Sequence, residues 1–148
     1  MTTRGATAAT FLELRLGARL AAVRVLNDLF EVALAALGVS EALRHDLTLG
    51  VAELVANVCD HEYAGAEGEV LVRLDVREDE VRVTVVSQGA AFDLQGALDR
   101  AAAHDPLEAL ENDVDGGRGL LLLTGLFDEV RLDREADRNR ITLRRARA

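Results

Sequence analysis

The chain has 148 residues, of which 49% are hydrophobic and 29% charged, the make-up of one soluble globular domain and not of a disordered, collagenous or coiled-coil chain. Acidic residues outnumber basic ones 26 to 17, a net charge of −9, which disfavours a general nucleic-acid binder because phosphate neutralisation needs a positive face. All 17 basic residues are arginine, so a Walker-type P-loop and a Schiff-base mechanism, which both need lysine, are excluded.

The single cysteine, Cys59, has no partner for an intramolecular disulfide and fits a reducing compartment. The first residues, MTTRGATAATF, contain no apolar leader core, and no apolar run approaches a membrane span. The expectation is a single cytoplasmic domain over residues 1–148 that engages neither membrane nor nucleic acid.

Alternating apolar and polar residues from Thr10 to Leu16 predict a first strand. Leu20, Val23, Leu26, Phe30, Leu34 and Leu37 recur at three- and four-residue spacing and predict an amphipathic helix over Ala18–Leu37, which Gly38 stops. Ser40 is placed to cap a second helix with Glu41 in its first turn. That helix is expected to run to about Tyr63, with Leu43, Leu47, Leu54 and Val58 inward, and to end at Gly65. A hairpin follows: Val70, Val72, Leu74 and Val76 on one strand, a turn at Arg77–Glu80, then Val81, Val83 and Val85 on the return.

From Gln88 to Gly119 no periodic pattern holds, and a connection of that length tends to be functional. Gly119–Phe127 reads as a short apolar helix, and Glu129–Arg134 and Arg140–Arg144 as two closing strands. Strands joined by tight turns argue for an α/β two-layer sandwich, a mostly antiparallel mixed sheet covered on one face by helices.

Three features stand out against this background. Glu53, Asn57 and His61 fall four apart in an otherwise apolar helix, so carboxylate, amide and imidazole share one stripe. Such a stripe can hold a hard cation through oxygen with a base one turn away, although a plain solvated helix face shows the same spacing. Gly116-Gly117-Arg118-Gly119 runs into four leucines; a glycine bend opening a helix presents free N–H groups to an anion, or is simply a loop. Ser87-Gln88-Gly89-Ala90-Ala91-Phe92-Asp93 ends a strand in a glycine turn.

The order and spacing of these features resemble the GHKL ATPase (Bergerat) fold, and within it the anti-sigma-factor serine/threonine kinases of the RsbW and SpoIIAB type, over nearly the whole chain from about Leu12 to Arg145. Glu53-Leu54-Val55-Ala56-Asn57-Val58-Cys59-Asp60-His61-Glu62-Tyr63 is similar to that family's N-box, E-x-x-x-N-x-x-x-H-x-Y. Gly117-Arg118-Gly119-Leu120, with Asp128-Glu129-Val130 downstream, resembles its G2 box.

The resemblance implies ATP and magnesium as cofactors. It makes Glu53 the general base and Asn57 the magnesium ligand, sets His61 near the phosphates, and gives the phosphates the backbone of Gly117, Arg118, Gly119 and Leu120. It makes residues from about Leu94 to Asp115 an ATP lid, and it suggests Thr142 beside the adenine. The family's G1 box, D-x-G-x-[GP]-F, is matched at Gly89 and Phe92, but Ser87 stands where the adenine-reading Asp belongs and Ala91 replaces the second Gly or Pro. A hydrogen bond to a charged group is worth about 1.5–3 kcal/mol against about 1 for a neutral one, so Ser87 implies weaker ATP binding or loosened base specificity. The implied partners are a STAS-type anti-sigma-factor antagonist as phosphorylation substrate, a sigma factor, and a second copy of the chain in a homodimer. A non-catalytic sequestering module with weakened ATP binding is the alternative.

Overall fold

The structure is a computed structural model and describes residues 10–59, 67–89 and 123–147. Its elements are β1 (Thr10–Gly17), α1 (Leu20–Ala36), α2 (Glu41–Asn57), β2 (Glu69–Val76), β3 (Glu80–Gln88), β4 (Glu129–Glu135) and β5 (Arg138–Ala146). The sheet order is β1-β2-β3-β5-β4, and every pairing among the described strands is antiparallel. The expected two-layer α/β architecture is present, and the described sheet contains none of the parallel pairing that "mixed" allowed for.

The helix boundaries follow local chemistry. Gly38 sits at φ +77°, a conformation that costs glycine little. It lets the Val39 N–H reach back to the Leu34 carbonyl at 3.0 Å while the Gly38 N–H reaches Ala35 at 3.1 Å. Ser40 then caps α2, its hydroxyl oxygen accepting from the Leu43 N–H at 3.4 Å. The Arg44 guanidinium braces this corner, donating to the Val39 carbonyl at 2.8 Å and pairing with Glu31 on α1 at 3.4 Å.

Leu26, Phe30 and Leu34 of α1 are buried as the periodicity predicts, but Leu20, the first helical residue, is 56% exposed. Leu43, Leu47, Leu54 and Val58 of α2 are all buried. The helix changes character before its expected end near Tyr63. Its regular turns end at Asn57 and give way to a π-type turn at Val58 and Cys59, a local widening that often accompanies functional positions. The remainder of the segment up to Tyr63 lies outside the described residues.

Register sorts each strand into two faces. On the helix-covered face the residues align in transverse rows: Leu12, Leu74, Val83, Leu143 and Val130 form one, and Leu14, Val72, Val85, Ile141 and Leu132 the next. These rows pack with Leu26, Phe30, Leu34, Leu47, Val51, Leu54 and Val55 into one core.

The other face carries charge. Arg73 pairs with Asp75 at 3.0 Å and Glu13 at 3.2 Å, Arg144 with Glu129 at 3.4 Å, and Arg131 with Asp133 at 3.1 Å. The Asp75 hydrogen bond, helped by Glu13, raises the Arg73 pKa above its ordinary value. Pairs with a solvent-exposed partner add little stability.

Candidate functional site

Two constellations of the expected residues are described, one at the end of α2 and one at the end of β3. On α2, Glu53 is half-buried and Asn57 is buried. The Asn57 Nδ2 donates to the Glu53 backbone carbonyl at 2.9 Å. A side-chain amide has one donor end and one acceptor end; with the nitrogen committed to its own helix, the oxygen is the end left for a ligand. Carbonyl oxygen is the donor type a hard cation prefers.

The described residues contain no group of three or more His, Cys, Asp or Glu side chains able to cage a metal. A magnesium ion here would take Asn57 as its protein ligand and fill its shell with waters and substrate phosphates, which is how this metal is usually bound. The residues present fit that role.

Gly50, one turn before Glu53, anchors this part of α2 to the segment leading into β4. A Cβ at position 50 would lie 3.0 Å from the Phe127 Cζ and closer still to Cε2. Glycine is therefore what allows the Phe127 ring, itself buried, to approach the helix this closely. Leu123 is buried in the same core, and residues 123–126 form the described end of the expected short helix.

At the end of β3 the inner face changes character. Its last row reads Leu16, Val70, Ser87, Asn139 and Arg134 across the five strands, so the apolar rows finish in a line of three polar residues. Ser87 is 2% exposed and Asn139 0%. The Arg134 Nη1 donates to the Asn139 Oδ1 and to the Gly89 carbonyl, both at 2.9 Å. The Gly89 N–H donates to the Asp137 carbonyl at 3.3 Å. Both backbone polar groups of Gly89 are thus held by the β4–β5 hairpin, whose turn residue Ala136 has φ 53°.

Thr142 does not join this cluster. It pairs with Thr84 and Arg131 and lies an odd number of residues from Asn139, so its side chain projects from the opposite face of the sheet from Ser87. Thr142, expected beside the base, thus does not share the face of Ser87; Asn139 occupies the inner position of β5 paired with Ser87, and neither it nor Arg134 was singled out by motif spacing. The signal was nonetheless present. Ile141 and Leu143 alternate around Thr142, so an inward apolar pair already turns Thr142 outward and Asn139 inward. His61, Phe92, Gly117, Arg118, Gly119, Leu120 and the segment from about Leu94 to Asp115 lie outside the described residues.

An antiparallel sheet with one helical layer, an E-x-x-x-N turn on the second helix and a strand ending in a tethered glycine are consistent with an ATPase-type domain, the class that the family match shows. Residues 16–145 match the family model described as a histidine kinase-like ATPase domain, and the chain belongs to that family. Among curated relatives, it is 29% identical over 100 residues to the serine-protein kinase RsbW of Oceanobacillus iheyensis, covering 67% of this chain and 63% of that one. It is 34% identical over 88 residues to the serine-protein kinase RsbW of Bacillus subtilis, covering 59% and 55%. The matched region is therefore less than two thirds of these relatives' length.

Two solved structures share the fold. A structure of the RsbU and RsbW domains of Rv1364c from Mycobacterium tuberculosis aligns with TM-score 0.61 and 21% identity, covering 93% of this chain and 32% of that one. The SiaB–SiaC complex from Pseudomonas aeruginosa aligns with TM-score 0.64 and 15% identity, covering 95% and 91%. Among the described residues, no helix is long and apolar enough to cross a membrane.

Proposed function

We propose that the chain is an ATP-dependent serine/threonine protein kinase of the anti-sigma type, acting on a hydroxyl of a STAS-type antagonist and alternating between that partner and a sigma factor. The observation that carries the reading is the Asn57–Glu53 turn: an amide oriented to offer oxygen, one helical turn from a carboxylate. The RsbW relatives, named serine-protein kinases, support the reaction class.

Magnesium, when bound, would neutralise charge on the phosphate oxygens, the main requirement of phosphoryl transfer. Asn57 would hold it through Oδ1. Glu53 would accept the proton of the incoming hydroxyl as its oxygen bonds to the γ-phosphorus and the bond to ADP breaks, so that the products are a phosphoester and ADP. His61, the backbone of Gly117–Leu120 and the lid near residues 94–115 are assigned to the phosphate side, and Gly89 and Phe92 to the base. A phosphate added to the antagonist brings roughly −1.5 to −2 charges, enough to change which partner docks. The homodimer belongs to the same reading.

Transfer of radiolabelled phosphate to a purified STAS-type antagonist tests this. The wild type labels the partner and Glu53→Gln lowers the rate at least about a hundredfold with nucleotide binding retained. Equal labelling by both would remove Glu53 as the base. Tight complex formation without any labelling would favour the sequestering alternative.

A further inference from the structure

The two edges of the sheet are built differently. β4 carries Glu129, Arg131, Asp133, Arg134 and Glu135 and sets Arg134 on the inner face, and charge of this kind is a usual defence of an open edge. β1 lacks such defences. It runs eight residues without proline or lysine, in unbroken register with β2 from Thr10 to Gly17, and among the described residues it pairs on that side only. Its inward residues Leu12, Leu14 and Leu16 are only partly buried.

The helix that follows also has an uncovered apolar flank. Val25, Leu29 and Val32 are 52%, 41% and 69% exposed, at the alternating four- and three-residue spacing of a helix-packing seam. Leu26, Phe30 and Leu34 form the separate stripe that is buried. Glu31, about 200° around the helix from Leu29, meets Arg44 of α2 at 3.4 Å, so the exposed flank points away from α2. Asp46 of α2 lies 3.6 Å from Arg145 of β5, and Gly50 lies against Phe127 ahead of β4, which leaves α1 the half of the sheet that ends at β1.

We propose that this edge is the contact with a second copy of the chain: the two β1 strands pair antiparallel about a two-fold axis at Leu14, and the two α1 helices meet along Val25, Leu29 and Val32. The inference rests on the homodimer of the proposed function and gives it an interface. A two-fold contact must be self-complementary, and β1 is so in this register. Leu12 of each copy falls opposite Leu16 of the other on the inner face, and Glu13 opposite Arg15 on the outer face. Centring on Glu13 or on Arg15 would instead set like charges against each other, which disfavours those registers. Glu13, 3.2 Å from Arg73, and Arg15, 3.8 Å from Glu69, both stay exposed and accessible to a second partner. Helices seated over neighbouring strand pairs stand about 10 Å apart, twice the strand spacing, which is a helix-packing distance.

Sedimentation of the full chain, without nucleotide, tests this. The wild type is expected to sediment as a dimer, and Glu13→Arg or Arg15→Glu alone to weaken association about tenfold or more, because each turns two attractive cross-axis pairs into repulsive ones. The double variant Glu13→Arg/Arg15→Glu is expected to recover the dimer, and an equal mixture of the two single variants to form a heterodimer, since every charge then faces its opposite. Neither rescue repairs the pairs with Arg73 and Glu69 inside one copy, so a merely structural effect of the charges would not be rescued.

Leu29→Glu, at an exposed helix position, keeps the test valid if a β1 variant fails to fold: loss of the dimer supports the proposal, and unchanged association overturns it. A wild type that stays monomeric at high micromolar concentration overturns the inference, whatever other protein then docks on this edge. So does a dimer that tolerates both single charge variants, or one that the double variant fails to restore. Each of these results leaves the kinase reading to the labelling experiment, which does not depend on them.

Discussion

Gly50→Ala tests whether packing at the end of α2 is as tight as the structure indicates. In an exposed helix the substitution would stabilise by about 0.8–1 kcal/mol, because alanine has the higher helix propensity. At this position the new methyl meets the Phe127 ring, 3.0 Å from Cζ and nearer to Cε2, and the ring is only 6% exposed, so it has little room to swing. Overpacking of a filled core costs about 1–3 kcal/mol. The balance is a net destabilisation of up to about 2 kcal/mol. With a urea slope of about 2 kcal/mol/M, a loss of about 1 kcal/mol lowers the unfolding midpoint by about 0.5 M.

The cycle with Phe127→Leu isolates the cause. Alone, the smaller side chain loses packing. Combined with Gly50→Ala it gives the methyl space, so the two are expected to couple by about 1 kcal/mol or more. A raised midpoint for Gly50→Ala, or additive effects in the double variant, would refute this account of why glycine stands there.

Two further outcomes follow from the same structure. Leu54, which follows Glu53 in α2 and is fully buried in the core, should cost about 2.7–5 kcal/mol of stability on change to alanine, read as a fall in urea midpoint; a change below about 1 kcal/mol would contradict the core assignment. Ser87→Asp replaces a neutral reader with a charged acceptor and should tighten ATP about tenfold in calorimetric titration, with no gain for inosine triphosphate; equal gains for both would show that position 87 does not face the base.

Much of this architecture was legible because the sequence advertises it through alternation. Val81, Val83 and Val85 read as a half-buried strand, and their burial follows; Gly38 and Ser40 mark the corner between helices by backbone freedom and capping chemistry. The candidate stripe on α2 was legible through helical spacing alone, since Glu53 and Asn57 share a face whatever the tertiary structure. What lies at the β3 exit was less so. Reading Asn139 as a neighbour of Ser87 requires knowing that β5 crosses to lie beside β3, a long-range pairing that no local pattern encodes. Thr142 was proposed by motif analogy, but strand periodicity turns it outward. Leu20 shows the complementary limit: its spacing fits the apolar stripe, yet as the first residue of α1 it stays exposed.

The central claim is that Asn57 is the metal ligand of a nucleotide site. Calorimetric titration of Mg·ATP into the folded wild type and Asn57→Ala, repeated with magnesium removed, tests it most directly. The account predicts binding by the wild type that weakens at least about tenfold both without magnesium and in the variant, with the two losses not adding when combined. Binding that is indifferent to magnesium, or unchanged in Asn57→Ala, would contradict it.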